Sequence, residues 1–369
     1  RDMKEAMFKQ EEKALFTLRQ LYRSYGYLPF KMNKFEEYDF YLQNKEFLVS
    51  DRVITFNDTD GKLLALKPDV TLSIVKNSKD IPGFKQKLYY DENVYRISTG
   101  THRFREILQT GLECIGDIDL YDLFEVVSLA VQSLASISDT YVLQISHLGI
   151  LSALLKESGG NEAFRKQAAG YIAKKNPHDL KKLCATNHIS EKQTRRLCDF
   201  IGIYGERSSV LERLEPLCTS EEACEALRSL RELSALLADT PYSSFVSFDF
   251  SIVNDMSYYN GIVFKGFLSG IREGVLSGGQ YDNLLIRMGR RSSAVGFALY
   301  LDLLEELKAP RASFDVDVVL LYDDTVPKEK IVSETQRLIS AGNTVSAQKT
   351  LCEKLRYRTV IDLRKESPS

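Results

Sequence analysis

Two blocks of strand-like alternation, one before about residue 117 and one after about residue 244, flank a stretch from about 155 to 240 with a different period. In that stretch charged residues rise, and Leu227, Leu230, Leu233, Leu236 and Leu237 recur at helical spacing. A 3.6-residue period and a two-residue period cannot share one sheet, so the chain must fold as a strand-built body carrying a helical insertion. Hairpins early and helices late indicate an α+β fold; a doubly wound sheet would alternate strand and helix throughout.

Within the first block, "DRVITFNDTDGKLLAL" (51–66) is two apolar runs joined by a polar segment with Asp60-Gly61, which predicts a hairpin. "KPDVTLSIVKN" (67–77) predicts a proline-started turn leading into a helix. "KLYYDENVYRI" and "EILQTGLECIGD" predict strands on either side of the polar loop "STGTHRFR" (98–105), a second hairpin with a long basic tip. Ahead of them, residues 3–25 place Phe8, Leu15, Leu18, Leu21, Tyr22 and Tyr25 on one helical face, closed by Gly26. After the insertion, "SFVSFDFSIVND" and "GIVFKGFLSG" predict strands, "SGGQYDNLL" a Gly-rich turn into a helix, and "SSAVGFALYLDLLEEL" a strand then a helix. Past "APRAS" (309–313), strand, helix and strand alternate in a small α/β segment. The expected organisation is therefore one domain over 1–310 and a C-terminal segment over 314–369.

Charge and cysteine usage narrow the classes of function. With 49 Lys+Arg against 51 Asp+Glu, a net charge of -2 gives no global attraction to a polyanion, so no nucleic-acid partner is expected, although a local basic patch stays open. Cys114, Cys184, Cys198, Cys218, Cys224 and Cys352 are widely spaced and never form C-x-x-C. The expectation is a reducing cytoplasm with neither a zinc site nor a disulfide framework. The opening segment is charged and helical in pattern, its start at Arg1 reads as trimmed, and no apolar run approaches membrane-spanning length. A Walker loop and G-x-G-x-x-G are both absent, and no metal or cofactor is expected.

Polar residues in or beside the strands form the candidate site: Asp69 and Thr71 after the first hairpin, Arg96, Gln109 and Glu113 on the second, and Tyr258 and Tyr259 before a later strand. Gln109 and Glu113 are four apart and share a strand face. A Gln and a Glu beside a Tyr could hold a zwitterion whose side chain donates hydrogen bonds. The plain alternative for any one of them is a solvated strand face, with the tyrosines capping a core. His102, His147, His178 and His188 show no ligand spacing, and only His102, in the basic loop, invites a functional reading. No G-x-S-x-G occurs, and Cys114 in an apolar strand reads as an inert thiol. The glycines of "SGGQYD" most simply serve a turn, with close approach to a ligand as the sharper alternative.

Four segments in order resemble the catalytic domain of class II histidyl-tRNA synthetases. "TFNDTDGKLLALKPDVT" resembles that family's hairpin and Arg-Pro-Glu-x-Thr turn, with Lys67, Pro68, Asp69 and Thr71 at the matching places. "VYRISTGTHRFREILQTGLECIGD" resembles motif 2, "VNDMSYYNGIVF" the histidine-specific Val-Arg-Gly-Leu-Asp-Tyr-Tyr stretch, and "GGQYDNLL" with "AVGFALYLDLL" resembles Gly-Gly-Arg-Tyr-Asp and motif 3. The resemblance spans about residues 5 to 307. It implies a class II synthetase-like antiparallel sheet flanked by helices. It also implies a histidine pocket in which Glu113 and Tyr258 face the imidazole while Asp69, Thr71 and Gln109 receive the α-ammonium.

The departures bear on catalysis. Asn254 stands where the histidine stretch has arginine, Leu303 where motif 3 has arginine, Gln280 where an arginine follows the two glycines, and Ser98 where the motif 2 loop has its glutamate. Asn33 also replaces the motif 1 proline. Each missing charge-assisted contact costs on the order of 2–4 kcal/mol of transition-state stabilisation, by analogy with a lost oxyanion-hole donor. Arg96 alone cannot hold a triphosphate. A synthetase relative that keeps the amino-acid pocket and loses these cations resembles the regulatory subunits of ATP phosphoribosyltransferases. In that family the synthetase-like subunit does no chemistry, and it forms a homodimer within a hetero-oligomer with a short catalytic transferase. That transferase makes phosphoribosyl-ATP in the first step of histidine biosynthesis, and the subunit relays feedback inhibition by L-histidine. The resemblance thus implies a cytoplasmic, non-catalytic subunit. Two other readings stay open: a working histidyl-tRNA synthetase, opposed by the lost cations and by a C-terminal segment short for an anticodon-binding domain, and a stand-alone histidine-binding paralogue.

Overall fold

The computed structural model describes residues 10–48, 53–97, 103–253, 258–307 and 314–365. Two compact units are formed, one within residues 10–307 and one within 314–365. The larger begins with α1 (Gln10–Ser24), β1 (Leu28–Pro29), β2 (Phe35–Glu37), α2 (Tyr38–Gln43), β3 (Thr55–Asn57), β4 (Leu63–Leu66) and α3 (Thr71–Asn77). It continues through β5 (Gln86–Ile97), β6 (Phe104–Gly116), α4 (Leu120–Ala135) and β7 (Tyr141–His147). The helical insertion follows as α5 (Leu148–Glu157), α6 (Glu162–Ala173), α7 (Pro177–Thr186) and α8 (Glu191–Ile201), then β8 (Tyr204–Gly205), α9 (Arg207–Leu214) and α10 (Glu221–Ala238). β9 (Val246–Asp249), β10 (Ile262–Leu268), β11 (Leu276–Gln280), α11 (Asp282–Arg287) and β12 (Ser293–Tyr300) complete it.

Among the described residues, nine strands form one sheet in the order β1-β5-β6-β12-β11-β10-β7-β9-β8. Its centre is antiparallel, as expected, but β1 runs parallel to β5 and β7 parallel to β9. The second of these follows from the insertion, because a chain that leaves β7 through several helices can return in the same direction. A three-stranded sheet, β2-β4-β3, contains the first predicted hairpin, with Gly61 at φ 80° in its turn. The second predicted hairpin is the longest ladder, from Gln86 opposite Ile115 to Ile97 opposite Phe104.

Adjacent residues on a strand face opposite sides of a sheet, and here the two sides have separate cores. Tyr89, Cys114 and Val295 join the larger cluster, where α4 packs Val126, Leu129, Ala130 and Leu134 against Leu143, Ile145 and Phe264. Their neighbours Tyr90, Ile115 and Ala294 join the second cluster with Tyr41, Phe47, Leu72 and Leu284. Each fully buried side chain of this size contributes roughly 1.5–3 kcal/mol.

Several local expectations change. Within the described residues α1 runs from Gln10 to Ser24, while the predicted start at residue 3 and Phe8 lie outside them. Pro68 precedes the helix: α3 starts at Thr71, and the Asp69 carboxylate accepts from the Leu72 N–H at 2.9 Å. The glycines of "SGGQ" do not form a turn; they lie inside β11, and neither Gly278 nor Gly279 has a positive φ. The reason is crowding between strands, since a Cβ on Gly278 would sit 2.4 Å from the Gly296 carbonyl oxygen, and one on Gly279 2.6 Å from that of Ile262. After β12 the chain makes a 3-10 segment, Leu301–Glu306, rather than an α-helix. The sequence reading also passed over α4 and β7, although Asp119 and Asp122 form a reciprocal capping box that marks the start of α4.

The smaller unit has β13 (Val316–Leu321), α12 (Lys328–Ser340), β14 (Val345–Gln348) and β15 (Tyr357–Asp362) in a parallel sheet of order β14-β13-β15. The four-residue β14 had no alternation long enough to announce it. Val318, Leu320, Val326, Leu338 and Leu363 make its core.

Candidate functional site

The side of the sheet that carries the second core opens into a cavity of about 350 Å³, at the small end of the roughly 300–1,000 Å³ usual for small-molecule sites. Asp69, Thr71, Arg96, Gln109, Glu113, Tyr258 and Tyr259 all line it. The sheet register explains how. Gln109, Gly111 and Glu113 on β6 stand opposite Tyr300, Ala298 and Gly296 on β12, and Gly111 stands opposite Tyr90 on β5. Two-residue alternation turns all of these toward one space.

Glycines make that space possible. A Cβ at Gly296 would lie 1.7 Å from Glu113 Oε2, and one at Gly111 2.6 Å from the Tyr90 hydroxyl. Here glycine supplies room rather than a special backbone conformation.

Glu113 is 2% exposed, and both of its oxygens accept hydrogen bonds. The Thr71 hydroxyl donates to Oε1 at 2.8 Å and the Tyr281 hydroxyl to Oε2 at 2.6 Å. Neither donor is charged, so burial dominates and pushes the Glu113 carboxyl up to about 8. Burial raises Asp69 too, opposed by the Leu72 N–H and the Arg96 guanidinium. Tyr90, Tyr258, Tyr259 and Tyr281 are driven well above the ordinary phenol range, chiefly by burial, and stay neutral. Tyr258 packs 4.5 Å from Tyr259, 5.7 Å from Tyr281 and 6.0 Å from Phe47, measured between ring centroids.

Among the described lining residues, Arg96 is the one cation, and its Nε donates to the Pro68 carbonyl at 3.1 Å. The buried Gln109 Nε2 has no hydrogen-bond partner among the described residues, a deficit of about 1–3 kcal/mol that an acceptor on a bound molecule would relieve. Two carboxyls against one guanidinium, with neutral phenols and an unpaired amide donor, suit a small molecule that brings a positive group and an acceptor together. Among the described residues no cluster of three or more His, Cys, Asp or Glu side chains is placed to hold a metal ion.

Of the positions expected to have lost synthetase groups, Gln280 and Leu303 are described, and neither is among the described residues that line the cavity. Gln280 Oε1 accepts from the Ile262 N–H at 2.9 Å. Leu303 is half-buried against the larger core. Asn254 and Ser98 lie outside the described residues, as does His102. His147 is instead a buried helix cap: its Nδ1 accepts from the Gly149 N–H at 3.1 Å, and burial lowers it to about 4. Cys114 is buried and its thiol is pushed up to about 12.

Sequence reasoning missed Tyr90, Tyr281, Ser277 and Tyr300 in the lining. Tyr90 was within reach, since it lies six residues before Arg96 on one strand and so shares its face. Tyr281 stands at the tyrosine of the stretch that resembles Gly-Gly-Arg-Tyr-Asp, but nothing local gives it a role in the site.

Known proteins share this architecture. The family model described as histidyl-tRNA synthetase matches residues 1–304. The ATP phosphoribosyltransferase regulatory subunit of Oceanobacillus iheyensis is 27% identical over 306 residues, which cover 82% of this chain and 75% of that protein. The crystal structure of an ATP phosphoribosyltransferase regulatory subunit/histidyl-tRNA synthetase from Bacillus halodurans C superposes with a TM-score of 0.80 at 24% identity, covering 98% of this chain and 96% of that one. A chain of the ATP phosphoribosyl transferase (HisG:HisZ) complex from Thermotoga maritima superposes with a TM-score of 0.62 at 20% identity, covering 79% and 97% respectively.

Proposed function

Because this chain belongs to the histidyl-tRNA synthetase family, whose fold it shares with proteins named as transferase regulatory subunits, we propose that it is the regulatory subunit of an ATP phosphoribosyltransferase. In this role it performs no chemistry of its own, assembles as a homodimer with a short catalytic transferase in the cytoplasm, and takes L-histidine into the cavity as effector. The ligand-receiving domain is residues 1–310, with 314–369 a separate appendage.

One observation carries the reading: the cavity retains the acceptors an amino acid needs but, among its described lining residues, presents Arg96 as its single cation. Adenylation builds charge on a triphosphate that one guanidinium is poorly equipped to stabilise. Histidine matches the site better, with its imidazole against Glu113 and Tyr258, its α-ammonium against Asp69, Thr71 and the Gln109 carbonyl oxygen, and its carboxylate, an acceptor for the unpaired Gln109 Nε2, within the field of Arg96. Buried polar groups left unpaired by other amino acids would supply discrimination.

The chain with ATP and histidine is expected to exchange no labelled pyrophosphate into ATP, and a short-form transferase is expected to gain activity on mixing with it and to lose that activity as histidine is added. Pyrophosphate exchange, or a transferase indifferent to this chain, would defeat the proposal. Tyr258→Phe removes one phenol hydroxyl facing the imidazole. Its histidine affinity, measured by calorimetry, should fall about tenfold, the equivalent of one hydrogen bond; an unchanged affinity would place the imidazole elsewhere.

A further inference from the structure

Tyr258 and Tyr259 lie directly before Asn260, while Tyr281 lies between Gln280 and Asp282, and a set of side-chain contacts ties these two stretches together. The Asn260 Nδ2 donates to Asp282 Oδ2 at 2.9 Å, and the Asp282 N–H donates back to Asn260 Oδ1 at 3.0 Å. The other carboxylate oxygen of Asp282 accepts from the Ala294 N–H at 2.9 Å, which anchors the pair to β12. Two residues after Asn260 and two before Asp282, the Ile262 N–H donates to Gln280 Oε1 at 2.9 Å. Position 261 accommodates that amide only because it is glycine, since a Cβ there would lie 2.1 Å from Gln280 Oε1.

We infer that Gln280, with the Asn260–Asp282 pair, is a positioning residue: it clasps the Tyr258–Tyr259 stretch to the Tyr281 stretch, and so fixes where three phenols stand relative to the Glu113 carboxyl. The inference rests on the proposed function for the identity of the ligand. The geometry supplies the reason for the clasp. Tyr281 donates directly to Glu113 Oε2 at 2.6 Å, and its ring packs 5.7 Å from that of Tyr258. A slip between the two stretches would separate the phenol from the carboxyl that together read one ligand group. The residue that resemblance places where synthetases carry an arginine therefore has a different task here. Its amide extends the end of the β10–β11 ladder, beside the Asn260 N–H that donates to the Gln280 carbonyl at 3.2 Å, and holds the recognition surface still.

The test measures binding of histidine and of 1-methylhistidine to the full chain by calorimetry, together with melting temperature, for the unmodified protein and two variants. Gln280→Met keeps the length of the side chain and removes the acceptor, whereas Gln280→Glu keeps an acceptor. Gln280→Met should weaken histidine binding about tenfold, as expected for one displaced recognition hydrogen bond, and should narrow the preference for histidine over its methylated analogue. Gln280→Glu should stay close to the unmodified protein in both. Asn260→Ala repeats the test at the other contact, and is decisive should Gln280→Met fail to fold. A Gln280→Met protein that melts earlier yet binds both ligands unchanged has lost only a structural contact, which overturns the inference while leaving the proposed function intact. An unmodified chain that ignores histidine overturns both.

Discussion

Gly296→Ala is expected to abolish measurable histidine binding and to lower the stability of the larger unit by about 1–3 kcal/mol, as overpacking of a tight interior does. The added methyl would sit 1.7 Å from Glu113 Oε2, 2.6 Å from its carboxyl carbon and 2.5 Å from the Leu112 carbonyl oxygen. Two of these atoms belong to the carboxyl at the heart of the cavity and the third is backbone in β6, so relief requires moving either Glu113 or the strand. Moving Glu113 breaks its contacts with Thr71 and Tyr281. Gly170→Ala is the matched control, because no atom lies within 4 Å of a Cβ there and the residue is inside α6. That change should leave binding unaltered and stabilise by up to about 1 kcal/mol through helix propensity. Normal histidine binding by Gly296→Ala would show that the ligand does not meet Glu113.

Glu113→Gln should make stability less sensitive to pH, with a definite sign. In the empty folded protein the Glu113 carboxyl is raised by burial from 4.5 to about 8. Between those two values the folded chain therefore holds a proton that the unfolded chain has released. The associated stability is fully present below about pH 4.5 and is lost as pH rises through about 8. Glutamine mimics the protonated state at every pH. The variant and the unmodified protein should melt alike near pH 5 and diverge toward pH 8.5, the variant becoming the more stable by on the order of 3 kcal/mol. Saturating histidine should close that gap in the unmodified protein alone, by placing a positive group beside the ionised carboxylate. Melting curves that remain parallel from pH 5 to 8.5 would show that Glu113 is ionised in the empty cavity and that the charge argument is wrong.

Both expectations rest on residues of unequal visibility. Glu113 and Gln109 could be assigned a shared face from spacing alone, because a strand leaves a side chain only two directions. Tyr90 yields to the same rule, but nothing local marked it as functional. Gly278, Gly279 and Gly296 could not be understood in advance. The sequence offers a glycine cluster, for which a turn is the ordinary reading, whereas the true constraint comes from Ile262, Phe297 and Glu113 on other strands. Gln280 illustrates the same limit, since only the approach of Gly261 and Ile262 reveals what its amide bonds to.

What the sequence determined by itself was the α+β class, both predicted hairpins, the helical insertion and the seven residues that meet in the cavity. These follow from periodicity, turn chemistry and ordered motifs, all of which act over a few residues or survive as recognisable patterns. What only the tertiary structure decided was the parallel pairing at β1 and β7, the strand that replaced a predicted turn, the hydrogen bond from the Ile262 N–H to Gln280 and the two uncharged donors that meet Glu113. Each depends on groups brought together from distant parts of the chain, where steric exclusion and loss of solvent act across space and leave no local period to read.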